Sequence, residues 1–437
     1  MFESHDTLAA TPAHELTLEC LAAGIEAARP RRAVERHCSV DGDVLRIRGV
    51  DYDLSGYDSI QVLGGGKAAD ELAAAFETLL GDRLTGGIVV TNERTASPER
   101  VTVRVGEHPT PAGGSVTGAN AVLDAASAAD GRTLVIAAIA GGGSALLCSP
   151  AAGLSVGNLQ EVTDGLLNAG ASIGEINVVR RACSDIKGGG LAAAAAPATV
   201  VGVLVSDVVG NDLSVIASGP TVPTGIDPDA ALEVLDRYEL EVPAVRERLG
   251  GLDPEEPADV SIDNHVIVSG RDAVDAAREA ARGRGHEPCV LSTRIEGEST
   301  AAGRLHAAIA TEAATSGDPV EPPAVFLSGG ETTVGVTGDG TGGPNQEFAL
   351  AAASELPPSA VLGAVDTDGS DGSTDAAGAL VDAKTVDDPA AARAALADND
   401  SYGFFESEGG LLKTGATGTN VNDLRVLVVP RREGSNV

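Results

Sequence analysis

The sequence predicts an α/β fold arranged as two α/β domains, and three observations carry that prediction. Short valine- and isoleucine-rich runs alternate with alanine-rich helical stretches, several of the runs end in glycine triplets, and a Pro-, Glu- and Asp-rich segment at 251–259 interrupts the series. Strands alternating with helices and glycine turns indicate βαβ units and a mainly parallel sheet. A chain of 437 residues also exceeds what one core ordinarily serves. The expected domains are residues 1–250, holding the mainly parallel sheet, and 259–437, a smaller α/β unit.

The elements follow in order. Residues 12–28 have apolar positions at helical spacing, with Pro12 suited to a first helical turn. A strand over 59–63 runs into Gly64, Gly65, Gly66 and Lys67, and a helix over 68–80 follows. Strands over 87–91 and 101–105 precede a helix over 112–129, and a strand over 133–140 ends on Gly141, Gly142, Gly143 and Ser144. Helical stretches over 156–171 and 173–184 lead to Lys187, Gly188, Gly189 and Gly190. The valine-rich run 200–205 is long enough for a strand buried on both faces, and it ends on Ser206 and Asp207. Beyond the linker come strands over 265–269, 288–292, 324–327 and 360–365, separated by helices over 273–284, 298–316 and 346–355. Gly329, Gly330, Glu331, Thr332 and Thr333 read as a turn between strands, and Asp366, Asp368, Asp371 and Asp375 crowd one loop.

Charge and cysteine usage bound the partners. The chain carries 64 acids against 30 bases, a net charge of -34, and only four lysines, Lys67, Lys187, Lys384 and Lys413. Such an excess repels nucleic acid and anionic membrane alike. The acids are scattered, aromatic residues make up 2%, and together these point to a salt-rich cytosol in which screening relieves self-repulsion. Five scattered cysteines fit reduced thiols, and no run is long and apolar enough to span a membrane. A soluble, cytoplasmic protein is expected, and a homodimer stands among the expected assemblies.

Three places combine glycines with a polar or cationic group. At Gly64, Gly65, Gly66 and Lys67 a glycine turn lets backbone approach an anion while the lysine adds a full charge. Gly64, Gly66 and Ala69 also stand at the GxGxxA spacing of a dinucleotide fingerprint, whereas Ala68 rules out a Walker motif. Gly141, Gly142, Gly143 and Ser144 repeat the construction, and Lys187 with its three glycines makes a third anion candidate. Two of four lysines beside glycine triplets argue for phosphate or carboxylate partners. Asp207, at a strand's carboxyl end, is the candidate general base. Among the crowded acids Asp368 and Asp371 are the candidate magnesium ligands, since Mg²⁺ often takes only one or two protein carboxylates. His108 reads as a loop residue.

Taken together, GGGKAA at Gly64, GGGSAL at Gly141, IKGGGLA at Ile186, SDVVGND and SGPT around Asp207, SGGETTV at Ser328, GGPNQEFAL at Gly342, DTDGSDGSTDAAGA at Asp366 and TGATGTNVNDL at Thr414 resemble the glycerate 2-kinases. This is the group with a MOFRL domain in its carboxyl-terminal part, expected here at about 323–430, and the resemblance covers nearly the whole chain. It implies an amino-terminal Rossmann-like domain, a smaller MOFRL-containing domain, and an active site in a cleft between them. The implied reaction uses ATP and Mg²⁺ to convert D-glycerate to 2-phosphoglycerate. On that resemblance Lys67 contacts the transferring phosphoryl group, Asp207 accepts the proton of the 2-hydroxyl, and Asn345 and Glu347 bind substrate. Gly330 and Glu331 join the glycine turns and Lys187 as nucleotide contacts. Pro344 stands where the family has an arginine, and Ala182 where a histidine is common, so Arg180 or Lys187 is expected to hold the substrate anion.

Two rivals remain at this level: an NAD(P)H-dependent hydroxypyruvate reductase, which the GxGxxA spacing suggests, and a non-catalytic nucleotide or sugar-acid sensor. The acid excess carries its own test. Raising KCl from about 0.1 M to about 1 M shortens the screening length from about 10 Å to about 3 Å. The thermal midpoint should rise by several degrees over that range, and a flat or falling midpoint would remove the salt-rich reading.

Overall fold

In the computed structural model residues 1–431 are described; positions 432–437 of the expected second domain lie outside the described residues. The chain divides into two compact units, 30–267 and 1–29 with 268–437, rather than at the linker alone. The opening helix Pro12–Ala28, which the sequence order assigned to the first domain, therefore belongs with the carboxyl-terminal unit. Its small residues explain why. A side chain at Gly24 would collide with Leu424 and come within 2.9 Å of the Ala273 carbonyl, and Thr419 Oγ1 donates to the Ala28 carbonyl at 2.6 Å.

The first unit opens with a three-stranded antiparallel sheet of β1 (Cys38–Asp41), β2 (Val44–Ile47) and β3 (Val50–Asp53). Its main sheet has six strands, β4 (Ser59–Gly65), β5 (Gly86–Thr91), β6 (Val101–Val105), β7 (Thr133–Ala140), β8 (Thr199–Val205) and β9 (Asp263–Val268). Their order is β6-β5-β4-β7-β8-β9, with the pairs from β6 to β8 all parallel. This is the doubly wound order 3-2-1-4-5-6, whose direction reverses between the two central strands β4 and β7. Every residue of β7 is buried, as expected of a strand covered by helices on both faces.

The second unit has a six-stranded mixed sheet of β10 (Cys289–Glu298), β11 (Ala324–Thr333), β12 (Val361–Asp366), β13 (Gly378–Asp382), β14 (Leu411–Leu412) and β15 (Asp423–Val429). The order is β10-β11-β15-β12-β13-β14; β10 and β11 are parallel and the other pairs antiparallel. The expected turn at Gly329 to Thr333 is instead the end of β11. These residues continue in register with Thr332 opposite Gly297, and at Gly330, with φ 139°, any side chain would strike the Ile295 backbone of β10. Glycines read as a turn were marking a close approach of two strands.

The same logic governs Gly66, at φ 139°, where an added Cβ would lie within 2.7 Å of the Ala140 side chain. Gly66→Ala is expected to destabilise the first unit by about 2–4 kcal/mol, through left-handed strain and overpacking. A lowered midpoint in denaturant unfolding would register it.

Candidate functional site

In a doubly wound sheet the loops at the carboxyl ends of the strands around the order reversal form a crevice where ligands bind. Gly65 and Ala140 end the two central strands here, and Val205 ends the next strand outward. The polar turns that follow, 66–67, 141–144 and 206–207, therefore emerge from neighbouring strands. The fold brings together three motifs spread over 140 positions of sequence.

The turn at Gly64 to Lys67 does not form the expected anion cradle. The Gly66 amide donates to the Val90 carbonyl at 3.0 Å and the Lys67 amide to the Gly141 carbonyl at 2.8 Å. Side chains at Gly64 and Gly66 would run into the backbone of β7, so these glycines serve the packing of two strands. A dinucleotide cradle at Gly64, Gly66 and Ala69 loses its donors for the same reason. The turn at Lys187 to Gly190 is likewise closed, with the amides of Gly188, Gly189 and Gly190 donating to the carbonyls of Ser218, Gly219 and Lys187.

The turn at Gly141 to Ser144 is the open one. Among the described residues the amides of Gly142, Gly143 and Ser144 meet no protein acceptor. Gly142 turns at φ 76°. Around this turn the candidate residues converge: a Cβ at Gly141 would strike the Asp207 carboxylate, and a Cβ at Gly142 would lie 3.1 Å from Lys67 Cγ and 3.1 Å from the His108 ring. Lys67 and Asp207 thus flank consecutive positions of one turn. His108, read from the sequence as a loop residue, is the third side chain there.

Beside the turn lies a pocket of about 390 Å³ lined by Gly142, Ser144, Arg180, Lys187, His108 and Leu159 among others. Lys187 is 6% exposed, and its ammonium donates to the carbonyls of Ser144 and Leu147 at 2.8 and 2.9 Å. An ammonium has three N–H donors, so one remains. Burial pulls the Lys187 amine down to about 8, Cys148 opposes this, and Arg180 nearby adds to it. Arg180 is half-buried and burial lowers its guanidinium, with no carboxylate among the described residues offsetting it. The one acid on the pocket wall among the described residues, Asp164, is solvent-exposed. Two desolvated cations without a carboxylate between them are costly unless an anion joins them.

The candidates of the second unit have partners of their own. Asp371, 1% exposed, accepts from the amides of Asn345 at 2.9 Å and Gln346 at 2.8 Å, so it caps the helix Pro344–Ala353. Burial pushes its carboxyl up to about 7 against the pull of these donors. Of the two expected magnesium ligands, Asp371 is buried with its oxygens accepting from the helix amides, and Asp368 accepts from the Ser370 amide at 2.8 Å. Asn345 donates to Asp423 at 2.6 Å, and Glu347 accepts from Asn399 at 2.8 Å, so both expected substrate contacts are engaged inside their own unit. Pro344 occupies the first helical position, where a missing N–H is harmless. Gly330 is wedged against β10, and Glu331 accepts from Asn422 at 3.4 Å. The buried pair Asp423 and Arg425, with Arg425 stacked on Phe348 at 4.6 Å, went unread in the sequence, because Arg425 lies in an ordinary-looking apolar strand. Ser218, hydrogen-bonded to Ser144, and Asn177, hydrogen-bonded to Ser218, also carried no signal beyond their position near named motifs.

Residues 16–250 match a family model described as a domain of unknown function, DUF4147, and residues 324–423 match the MOFRL family. A Pyrococcus horikoshii protein named glycerate 2-kinase is 37% identical, covering 96% of this chain and 98% of its own length. An Agrobacterium vitis protein that bears the name hydroxypyruvate reductase only provisionally is 41% identical over 84% of this chain and 98% of its own. The crystal structure of a glycerate kinase from Thermotoga maritima superposes with a TM-score of 0.83 at 34% identity, covering 95% of this chain and 99% of that one.

For the capped helix, Asp371→Ala leaves two buried amides without an acceptor. A loss of about 2–4 kcal/mol in unfolding free energy is expected, measured by denaturant titration; a loss under about 0.5 kcal/mol would contradict the capping role.

Proposed function

Because this chain belongs to the glycerate 2-kinase family, phosphotransferases acting on an alcohol group, we propose that it transfers the γ-phosphoryl group of ATP to the 2-hydroxyl of D-glycerate. The observation that carries the reading is the convergence of Lys67 and Asp207 on the Gly141–Gly142 turn, beside a pocket holding the cations of Arg180 and Lys187. Phosphoryl transfer depends mainly on positioning and charge neutralisation, with little covalent work for the protein. In this reading Asp207 takes the proton of the 2-hydroxyl as its oxygen bonds to phosphorus and the bond to ADP breaks. Lys67 neutralises charge on the transferring group. Arg180 and Lys187 hold an anionic oxygen of substrate, so that Pro344 need not supply the clamp that an arginine would.

Asn345, Glu347, Asp368, Asp371, Gly330 and Glu331 are not required for the chemistry of this reading; each has hydrogen bonds or packing contacts within its own unit. In this reading magnesium would be held by the phosphates of the nucleotide and would neutralise their charge. The acid-rich surface supports work in a salt-rich cytoplasm. No helix among the described residues is long and apolar enough to cross a membrane.

Purified protein should consume ATP when given glycerate and leave NADH absorbance unchanged when given hydroxypyruvate; NADH oxidation with hydroxypyruvate and no ATP consumption with glycerate would favour the reductase. Asp207→Asn should lower kcat by about 10²–10⁴-fold, the range of a general base, with a smaller change in KM. Arg180→Ala should raise the KM for glycerate or ATP by roughly tenfold or more, as loss of a charge-assisted contact does. The pH dependence follows from Lys187, whose amine sits at about 8 when buried. Below that pH it is charged and holds the anion, so kcat/KM should fall as pH rises through about 8, and Lys187→Met should flatten this limb.

A further inference from the structure

Asn177 is 1% exposed, and its Nδ2 is buried with no hydrogen-bond partner among the described residues. Its Oδ1 lies 3.0 Å from Ser218 Oγ, and Ser218 Oγ lies 2.9 Å from Ser144 Oγ. Ser144 in turn lines the pocket with Arg180 and Lys187. Three side chains from separate elements thus form a line from the core to the anion pocket.

The middle of the line is held in a demanding backbone. Ala217, Ser218 and Gly219 follow one another at φ 51°, 62° and 68°, a left-handed conformation that ordinary side chains avoid. The amides of Gly188 and Gly189 donate to the carbonyls of Ser218 and Gly219, and a Cβ at Gly143 would come within 2.6 Å of the Ala217 side chain. The strained stretch is therefore clamped directly beneath the Gly141–Ser144 turn.

Proton order along the line decides what Ser144 offers the pocket. With Oδ1 toward Ser218, the Ser218 hydroxyl donates to Asn177 and Ser144 must donate to Ser218, which turns the Ser144 proton away from the anion and orphans two amide N–H donors. A half-turn of the amide puts Nδ2 at the same 3.0 Å position. Asn177 then donates to Ser218, Ser218 donates to Ser144, and the Ser144 proton is free to donate into the pocket. That order pairs one of the two buried N–H donors, leaving the other and a less demanding carbonyl unpaired in place of two unpaired donors, and it places a donor where two cations already call for an anion.

We infer that Asn177 and Ser218 are positioning residues that commit the Ser144 hydroxyl to donate to an anionic oxygen of substrate, a glycerate carboxylate or a nucleotide phosphate. The inference rests on the anion-binding reading of the pocket given above. Its test compares Ser144→Ala, Asn177→Asp, Ser218→Ala and Arg180→Ala, and the doubles of Ser144→Ala with each relay variant, with KM measured separately for glycerate and ATP. In Asn177→Asp an ionised carboxylate replaces the amide; it only accepts, and so reverses the proton order. Ser144→Ala and Asn177→Asp should each raise the same KM by roughly tenfold or more, with kcat less affected. The double variant should be little worse than either single one, since both remove one hydrogen bond. Ser218→Ala should behave alike and serves if Asn177→Asp does not fold. Whichever substrate shows the rise identifies the anion. The relay is overturned if Asn177→Asp and Ser218→Ala leave both KM values within about twofold, or if their effects multiply with that of Ser144→Ala. If those variants are silent while Arg180→Ala raises KM, the relay falls and the pocket stands; if they raise KM while Arg180→Ala is silent, the relay stands and the Arg180 assignment falls.

Discussion

The backbone contact between the two central strands of the parallel sheet governs the first unit. At Gly64 and Gly66 no side chain fits between β4 and β7, because the carbonyls of Ala138 and Ala140 occupy the space. The close approach sets the depth at which the two strands end, and the Lys67 amide then closes onto the Gly141 carbonyl. One hydrogen bond therefore fixes the turn carrying the lysine against the turn carrying Ser144. Asp207 follows from the next strand, with its carboxylate filling the space that a side chain at Gly141 would need. Lys67 and Asp207 owe their proximity to sheet order and glycine packing.

Two arginine environments show how pairing separates structure from chemistry. Arg425 is 1% exposed, but it is paired with Asp423, bonded to Thr332 at 2.8 Å and stacked on Phe348. Its charge faces Asp423 within the unit, though among the described residues its Nε and Nη1 meet no acceptor, and it anchors a network that also holds Asn345. Arg180 and Lys187 repel one another beside a pocket on whose wall, among the described residues, the one acid is the exposed Asp164. A desolvated charge without an opposite partner is unfavourable by several kcal/mol. An arrangement of that kind persists where an anion completes it.

Much of this was legible in the sequence, but unevenly. The βαβ alternation, the polar carboxyl end of β8 and the glycine motifs were readable because strand period and glycine placement are local properties. Glycine function was not. Gly64 and Gly330 looked like turn or ligand residues and are packing residues, since φ near 140–150° and a neighbouring carbonyl are visible only once strands pair. The acidic loop misled similarly: Asp371 resembled a metal ligand, and it caps a helix that starts 27 positions earlier, at Pro344. The opening helix was assigned by chain order to a unit it does not join.

The sequence alone determined the α/β class, the acid-rich surface and a set of motifs that mark the family, because composition, period and motif spacing are properties of the linear chain. Tertiary structure alone decided which of three glycine turns keeps its amides open, which cations lack a carboxylate, and which polar side chains line up behind Ser144. Those are questions of which donor meets which acceptor across distant segments. A hydrogen bond once formed is no longer available to a ligand, and no local reading of residues records where it has gone.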